Sequence, residues 1–485
     1  MRIRTVLHYL GLLIATLGVF MLLPLGFSLF YGEPDYLAFA ISTGISIVSG
    51  LLLWRLTPVG EGRLSRREAI MIVAGGWVLA SAFGAIPYML AGTFQSYLNA
   101  YFEAMSGFTA TGATVITSIE SQPHGILLWR SLTQWLGGMG IITLFVALFP
   151  MLGIGAAHLV EAEMPALQAE RLTARIRDTA KAVWLLYLGF SASEAILLWL
   201  AKMPLFDSLT VTFSTMATGG FTPRTESIGY YNSPLIEGIV ILFMIIAGVN
   251  FGLYYFLLWR RQPGRLFTNP EFRLYIALLI GACLCISLNL ALTKEMSLSI
   301  SEAFRQGSFQ AVSIMTTTGF VTADFNIWPA FSRMALLTLM VIGGSAGSTS
   351  GAIKVIRLLV VFKYIYRRIR LTINPSAVIP LKVGGNILSE KVISGIIGVA
   401  VLYLITLATG TLILSAMGID LVTALSAVAT NMGTIGPGLG LVGPTANYLW
   451  ITPPGKIVLI ICMLIGRLEL FTVLALLTPS FWKWR

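Results

Sequence analysis

Four short stretches carry threonine and glycine in a pattern that suits backbone chemistry better than side-chain chemistry. They are Phe108-Thr109-Ala110-Thr111-Gly112-Ala113, Thr215-Met216-Ala217-Thr218-Gly219-Gly220, Met315-Thr316-Thr317-Thr318-Gly319-Phe320 and the degenerate Ala429-Thr430-Asn431-Met432-Gly433-Thr434. Gly112, Gly219, Gly319 and Gly433 allow backbone angles closed to other residues. Four such loops meeting on one axis can turn their carbonyls inward, which is how a pore replaces the hydration shell of K⁺. The residues expected to line that filter are Ala110, Thr111 and Gly112, then Thr218, Gly219 and Gly220, then Thr318, Gly319 and Phe320, and last Asn431, Met432, Gly433 and Thr434. Small residues that merely let helices pack closely would account for one such loop, but not for four at matching places.

Each loop follows an apolar piece too short to span a membrane: residues 97–107, 206–215, 302–315 and 421–429. As half-helices, these would aim C-terminal dipole ends, each equivalent to about −0.5 charge, at a cation on the axis. The pieces sit among ten apolar stretches of roughly 20 residues, the length that crosses the hydrocarbon core as a helix. Among these are 125–149, 234–259, 330–362 and 456–478. The loop glycines recur roughly every 110 residues, too long a period for a soluble solenoid and suited to a helix, half-helix and helix unit. The expected fold is therefore an all-α polytopic membrane protein with a fourfold pseudo-symmetric repeat of helix, pore half-helix, filter loop and helix. An N-terminal transmembrane pair (1–68) precedes the repeats, which run 69–160, 161–270, 271–380 and 381–485.

Composition supports that class, with 485 residues, 56% hydrophobic, 11% charged and a mean hydropathy of +0.84. A soluble domain is excluded. The N-terminal run reads as a retained first helix, since it continues to Phe30 without a small-x-small cleavage site. Most of the 32 Lys and Arg fall in alternate loops, which places both termini in the cytosol by the positive-inside rule. The net charge of +11 is thus a topology signal and does not indicate nucleic acid, while the outer loops are formally negative, as suits cation entry. Cys283, Cys285 and Cys462 have no metal-ligand spacing, and His8, His124 and His158 are scattered. No nucleophile, base and carboxylate constellation appears, so the chain is not read as an enzyme.

Two features inside the apolar stretches remain. Gly343-Gly344-Ser345-Ala346-Gly347-Ser348-Thr349-Ser350-Gly351 interrupts the 330–362 stretch. Glycine costs roughly 1 kcal/mol per residue in a helix, and irregular backbone at membrane depth is tolerated where it lines water or is buried in protein. This loop is expected in the pore just inside the filter, with a simple helix kink as the alternative. Arg467 lies at the centre of the 456–478 stretch, where an unpaired charge costs ~3 kcal/mol or more. It either faces the pore or pairs with Glu469 or Glu194. Gly438-Leu439-Gly440-Leu441-Val442-Gly443 matches a dinucleotide fingerprint but lacks the flanking strand, so nucleotide binding there is rejected.

The ordered set SGFTATGATV (106–115), MATGGFTP (216–223), TTTGF (316–320), GGSAGSTSGAIK (343–354) and IGRLELF (465–471) resembles the Trk/Ktr/HKT superfamily of K⁺ transporters, and the extra N-terminal pair resembles its TrkH type. That resemblance implies a K⁺ uptake subunit with a channel-like pore in a homodimer, K⁺ bound in the filter and no other cofactor in this chain. It implies that the 343–351 loop is a gate, with Arg467 in the basic position below the filter. It also implies a cytosolic nucleotide-binding regulatory ring of the TrkA kind, expected to dock on the basic helix carrying Arg367, Arg368 and Arg370 and on the 171–181 and 260–273 loops. Anionic membrane lipid is the competing partner for that helix. An ion-coupled symporter using Glu194 or Glu469, or the K⁺-binding subunit of a primary pump, are the alternative functions.

Overall fold

The computed structural model describes residues 2–58, 64–140, 176–468 and 470–482. Among these, six helical spans are long and apolar enough to cross a membrane: Ile3–Tyr31, Tyr36–Leu56, Arg67–Leu90, Lys181–Leu200, Pro270–Leu292 and Glu390–Ala416. The chain is a multi-pass membrane protein. Local signals set the helix starts. Ser65 and Glu68 form a reciprocal capping box, Asn269 accepts from the Glu271 and Phe272 amides, and Ser389 caps at Val392.

Between the spans lie four short helices, called here the first to fourth pore helices: Tyr97–Phe108, Leu205–Ala217, Ile300–Met315 and Leu421–Gly433. Glu302 closes a capping box on Ser299, and Asp420 accepts from the Thr423 amide. The fourth runs past the expected end of 429 to Gly433, and within that last turn the Asn431 side chain donates back to the Ala427 carbonyl (2.7 Å).

The helices that follow the pore helices are broken. Residues 234–259, expected as one span, form Pro234–Ala247 and Phe251–Leu258, bent by 98°. Asn250 starts the second piece by accepting from the Gly252 amide at 2.8 Å. Residues 330–362 divide into Ala330–Val341 and Val355–Ile373 around the Gly343–Gly351 loop. Helix His124–Gly138 ends at a glycine pair, and Pro453–Leu468 is followed by Leu470–Leu477. The remainder of the 125–149 stretch, the 160/161 boundary and Glu469 lie outside the described residues.

The N-terminal pair packs through small residues. A methyl at Gly50 would collide with the Ala15 amide and the Gly11 carbonyl, so the two backbones touch directly. Gly50→Leu is expected to destabilise this crossing by about 1–3 kcal/mol through overpacking. The thermal midpoint of the detergent-solubilised protein should fall, while Gly26→Leu, at a glycine with open space around it, should leave it unchanged.

Candidate cation site

Each pore helix ends in the same turn. The Ala110 amide donates to Gly107 (2.9 Å) and the Thr111 amide to Ser106 (2.8 Å); Thr218 with Gly219, and Thr317 with Thr318, repeat the pair, and Ile435 donates to Thr430 at 2.9 Å. These are Schellman closures, which need a left-handed residue just past the helix. That residue is Ala110 (φ 54°), Thr218 (φ 52°), Thr317 (φ 59°) and Thr434 (φ 53°). Two residues further on, Gly112, Gly220, Gly319 and Gly436 are also at positive φ, from 80° to 98°.

This register corrects the sequence reading at two loops. Gly219 and Gly433 do not take the left-handed backbone; Gly220 and Gly436 do. Asn431, Met432 and Gly433 are the last turn of the fourth pore helix, and the fourth loop is Thr434-Ile435-Gly436-Pro437.

The four glycines touch in cyclic order. A methyl on Gly112 would strike the Gly219 carbonyl, one on Gly220 the Thr318 carbonyl, and one on Gly319 the Ile435 carbonyl; one on Gly436 would sit 2.9 Å from the Thr111 and Gly112 carbonyl oxygens. Each glycine therefore lets its loop approach the carbonyl of the next, and the fourth closes on the first. A cavity of about 100 Å³ lies over this ring, lined by all four glycines. Among the described residues no donor reaches the carbonyl oxygens of Thr111, Gly112, Gly220, Thr318, Gly319 or Ile435. Buried carbonyls are nearly always paired, so this closed set of unpaired ones stands out among the described residues.

A hoop of longer-range bonds fixes the ring. Gln134 donates to the Gly219 carbonyl (2.6 Å) and accepts from the Phe221 amide (3.0 Å). Arg130, buried and paired with Glu103 at 2.8 Å, also donates to the Thr222 carbonyl. Glu103 holds Thr114 and the Val115 amide (2.9 Å). Ser227 Oγ accepts from Val321, Asn326 exchanges two bonds with Gly440, the Tyr448 amide donates to Thr114, and the Tyr448 hydroxyl donates to Gly436. Two further charge pairs form nearby, Arg224 with Asp207 (3.0 Å) and Arg305 with Glu237 (2.7 Å). The sequence reading assigned none of these residues a role. Buried Arg130 was the available signal, since a charge on an apolar helix needs a partner.

Across the ring from the small cavity stands the Gly343–Gly351 loop, non-helical as expected. Its neck closes through Gly343 to Ile353 (3.0 Å) and Val355 to Gly344 (3.1 Å). Its tip presses on the ring: Ser350 donates to the Thr316 carbonyl, the Gly351 amide to the Thr317 hydroxyl (both 2.8 Å), and a methyl on Gly351 would strike Gly433 and Thr434. The bent span holds it too, since Ser345 and Thr349 donate to the Gly248 and Ala247 carbonyls exposed by the break. Glu271 accepts from Ala346 (2.6 Å) and Ile356 (3.2 Å), a brace that no motif or period marks. On its far side opens a cavity of about 750 Å³, lined by Gly347, Ser350, Gly351, Met432, Gly138 and Arg467.

Arg467 donates to Thr349 of the loop (3.2 Å) and to the carbonyls of Gly137 and Gly138 (2.6 Å to Gly138). It thus caps the C-terminal end of helix His124–Gly138, where a cation is favoured. The expected alternative, a pair with Glu194, is excluded: neither Glu194 oxygen has a hydrogen-bond partner among the described residues. At the basic helix, Arg367 is held by Glu390 at 2.7 Å, whereas Arg368 and Arg370 are exposed. Of the other expected docking residues, 171–175 lie outside the described residues.

The TrkH family of cation transport proteins matches residues 37–483. The Trk system potassium uptake protein TrkH of Salmonella typhimurium (strain LT2) is 37% identical over 485 residues, covering 100% of both chains. The Trk system potassium uptake protein TrkG of Escherichia coli (strain K12) is 32% identical over 483 residues, covering 99% of each. The crystal structure of the potassium transporter TrkH from Vibrio parahaemolyticus matches at 37% identity with a TM-score of 0.90, again over 100% of both chains.

Removing one member of a buried ion pair strands the other, at a cost of about 3–5 kcal/mol. Glu103→Ala is expected to show that loss as a lower unfolding midpoint, and Arg367→Ala, which leaves a largely exposed Glu390, a much smaller one. Equal losses would show that Glu103 is not the anchor of the hoop.

Proposed function

The chain belongs to the TrkH family of cation transport proteins, and on that premise we propose that it takes up K⁺ through the ring closed by Gly112, Gly220, Gly319 and Gly436. The observation that carries this reading is the set of buried, unpaired carbonyls brought together by those glycines. Desolvated K⁺ needs several oxygen ligands of partial charge, and four Schellman-closed loops supply them without the hydration penalty of fixed carboxylates. Four pore helices converge with their C-terminal ends at the ring, which favours a cation there.

In this reading the Gly343–Gly351 loop is the gate, because it stands between the ring and the larger cavity and rests on bonds that several partners could remake. Arg467 holds it closed through Thr349 and repels cations from the passage. Both termini face the cytosol, and the protein works as a homodimer. A cytosolic nucleotide-binding ring docks on the exposed Arg368 and Arg370 of the helix that continues from the loop.

The test is flux of K⁺ and Na⁺ through the purified chain in liposomes. Gly112→Ser, Gly220→Ser, Gly319→Ser and Gly436→Ser place a side chain against the neighbouring carbonyl and should each lower the preference for K⁺. An unchanged ratio in all four would overturn the filter assignment. Arg467→Ala should raise basal flux; a lower melting temperature with unaltered flux would leave it only a helix cap. Reversing the charge of Arg368 and Arg370 should abolish the nucleotide response while sparing basal flux, and a retained response would remove the docking site.

A further inference from the structure

The ring holds two tiers of carbonyls. The residue after each left-handed turn supplies the first, from Thr111, Gly219, Thr318 and Ile435, and the glycines Gly112, Gly220, Gly319 and Gly436 supply the second. Contacts make the first tier one set. Gly112 abuts the carbonyl of Gly219, Gly220 that of Thr318, Gly319 that of Ile435 and Gly436 that of Thr111.

The loops differ in how these oxygens are used. In the first and third loops both carbonyls are without a donor among the described residues. Their own hydroxyls are turned back on the pore helices: Thr109 donates to the Met105 carbonyl (2.7 Å) and Thr316 to Val312 (2.8 Å), so Thr111 and Thr318 donate to those two threonines, each at 2.8 Å. Ser350 and Ser313 donate to Thr316 and Phe320, on either side of the third loop's pair.

The second and fourth loops each have one oxygen engaged. The Gly219 carbonyl of the first tier accepts from Gln134 Nε2 at 2.6 Å, and the Gly436 carbonyl of the second accepts from the Tyr448 hydroxyl at 2.7 Å. Neither bond can be reversed. Gln134 Oε1 accepts from the Phe221 amide (3.0 Å), which turns the side-chain nitrogen toward Gly219, and a carbonyl only accepts, so Tyr448 gives its single proton to Gly436. Both side chains are buried.

We infer, on the reading of the ring as the K⁺ path, that Gln134 and Tyr448 determine specificity by sharing one carbonyl of each tier with the cation. Each tier then offers three full ligands and one shared ligand. Because the loops touch in cyclic order, the first and third stand opposite each other and the shared oxygens fall on the other diagonal. A carbonyl has two lone pairs and can serve a donor and a cation together, but the donor draws on the same charge and fixes the direction of the group. Discrimination between K⁺ and Na⁺ depends on the number and field strength of the carbonyls around the ion. K⁺, the larger ion, is surrounded by more of them, so weakening one in each tier costs K⁺ more than Na⁺. Two side chains outside the four loop motifs thus loosen the selection.

A purely supporting role predicts the opposite sign. If Gln134 and Tyr448 only held the loops in place, their loss would let the carbonyls wander and lower the preference for K⁺. Sharing predicts that releasing a carbonyl raises it.

The test measures the K⁺ to Na⁺ flux ratio and the half-saturating K⁺ concentration of the full-length chain in liposomes, with the melting temperature of each variant. Tyr448→Phe removes one hydroxyl and keeps the ring beside Phe102 and the amide bond to Thr114. The ratio should rise about two- to tenfold, the worth of one hydrogen bond, and the half-saturating K⁺ concentration should fall. Gln134→Met frees the Gly219 carbonyl but also strips the Phe221 amide of its acceptor, so it should raise the ratio by less. Tyr97→Phe deletes a hydroxyl that donates to the Ala82 carbonyl (2.9 Å) from the far end of the first pore helix, and should change neither quantity. A ratio that stays level or falls in a folded Tyr448→Phe overturns the sharing, and Gln134→Met decides by the same rule should the tyrosine variant not fold. Serine at the four ring glycines reports on the ring alone. If those variants leave the ratio unchanged, the ring reading fails; if they shift it while Tyr448→Phe does not raise it, only the sharing fails.

Discussion

The structure turns on one constraint: a buried backbone carbonyl must find a partner, and here a closed set of them finds none among the described residues. Everything around the ring keeps those oxygens in place without satisfying them. Schellman closures spend the amides of the turn on the pore helix itself, leaving the next carbonyls unpaired. The glycines remove the one atom that would hold neighbouring loops apart. Among the loop carbonyls that do accept side-chain bonds, those of Gly219, Phe320 and Gly436 take them from Gln134, Ser313 and Tyr448, which anchor three of the four loops to their surroundings.

Rigid and soft parts are separated accordingly. The ring is tied by a buried ion pair, paired amides and hydroxyls from distant segments, all geometrically defined. The Gly343–Gly351 loop is held mostly by its own backbone, by two carbonyls left over at the bend before Asn250 and by Glu271. Those carbonyls are available only because the span breaks by 98°, so one helix break supplies the anchor for another. To those backbone bonds are added two charged side chains, Glu271 at the Ala346 amide and Arg467 at the Thr349 carbonyl.

Much of this was legible in the sequence for local reasons. Glycine density marked the Gly343–Gly351 interruption, and Thr/Gly punctuation marked all four loops. The fourth was read three residues early because Asn431-Met432-Gly433 imitates the other motifs, while its true loop has Ile435 where the first and third have Thr. The common feature is a left-handed residue two positions before a glycine, visible once Ala110-Thr-Gly, Thr218-Gly-Gly, Thr317-Thr-Gly and Thr434-Ile-Gly are aligned. The break at Gly248 to Asn250 was missed because overall hydropathy there stays high. The hoop was illegible for a different reason: Gln134 to Gly219, Asn326 to Gly440 and Tyr448 to Thr114 are long-range contacts that no period announces.

One helix joins these parts. At the N-terminal end of His124–Gly138, Glu33 accepts from the His124 amide (2.6 Å) and ring nitrogen (2.7 Å). In its middle, Arg130 and Gln134 hold the loop that contains Gly219 and Thr222. At its C-terminal end, the Gly137 and Gly138 carbonyls receive Arg467, which also holds Thr349 of the interrupting loop. Moving Thr349 away therefore loosens the cap of the same helix that positions the second loop of the ring. Under the proposed function linkage makes the effect reciprocal: a cation held by that loop biases the cap as strongly as the cap biases it. The route between them runs through helix backbone and two side chains, beside the axis, and needs no change in the ring's own glycines.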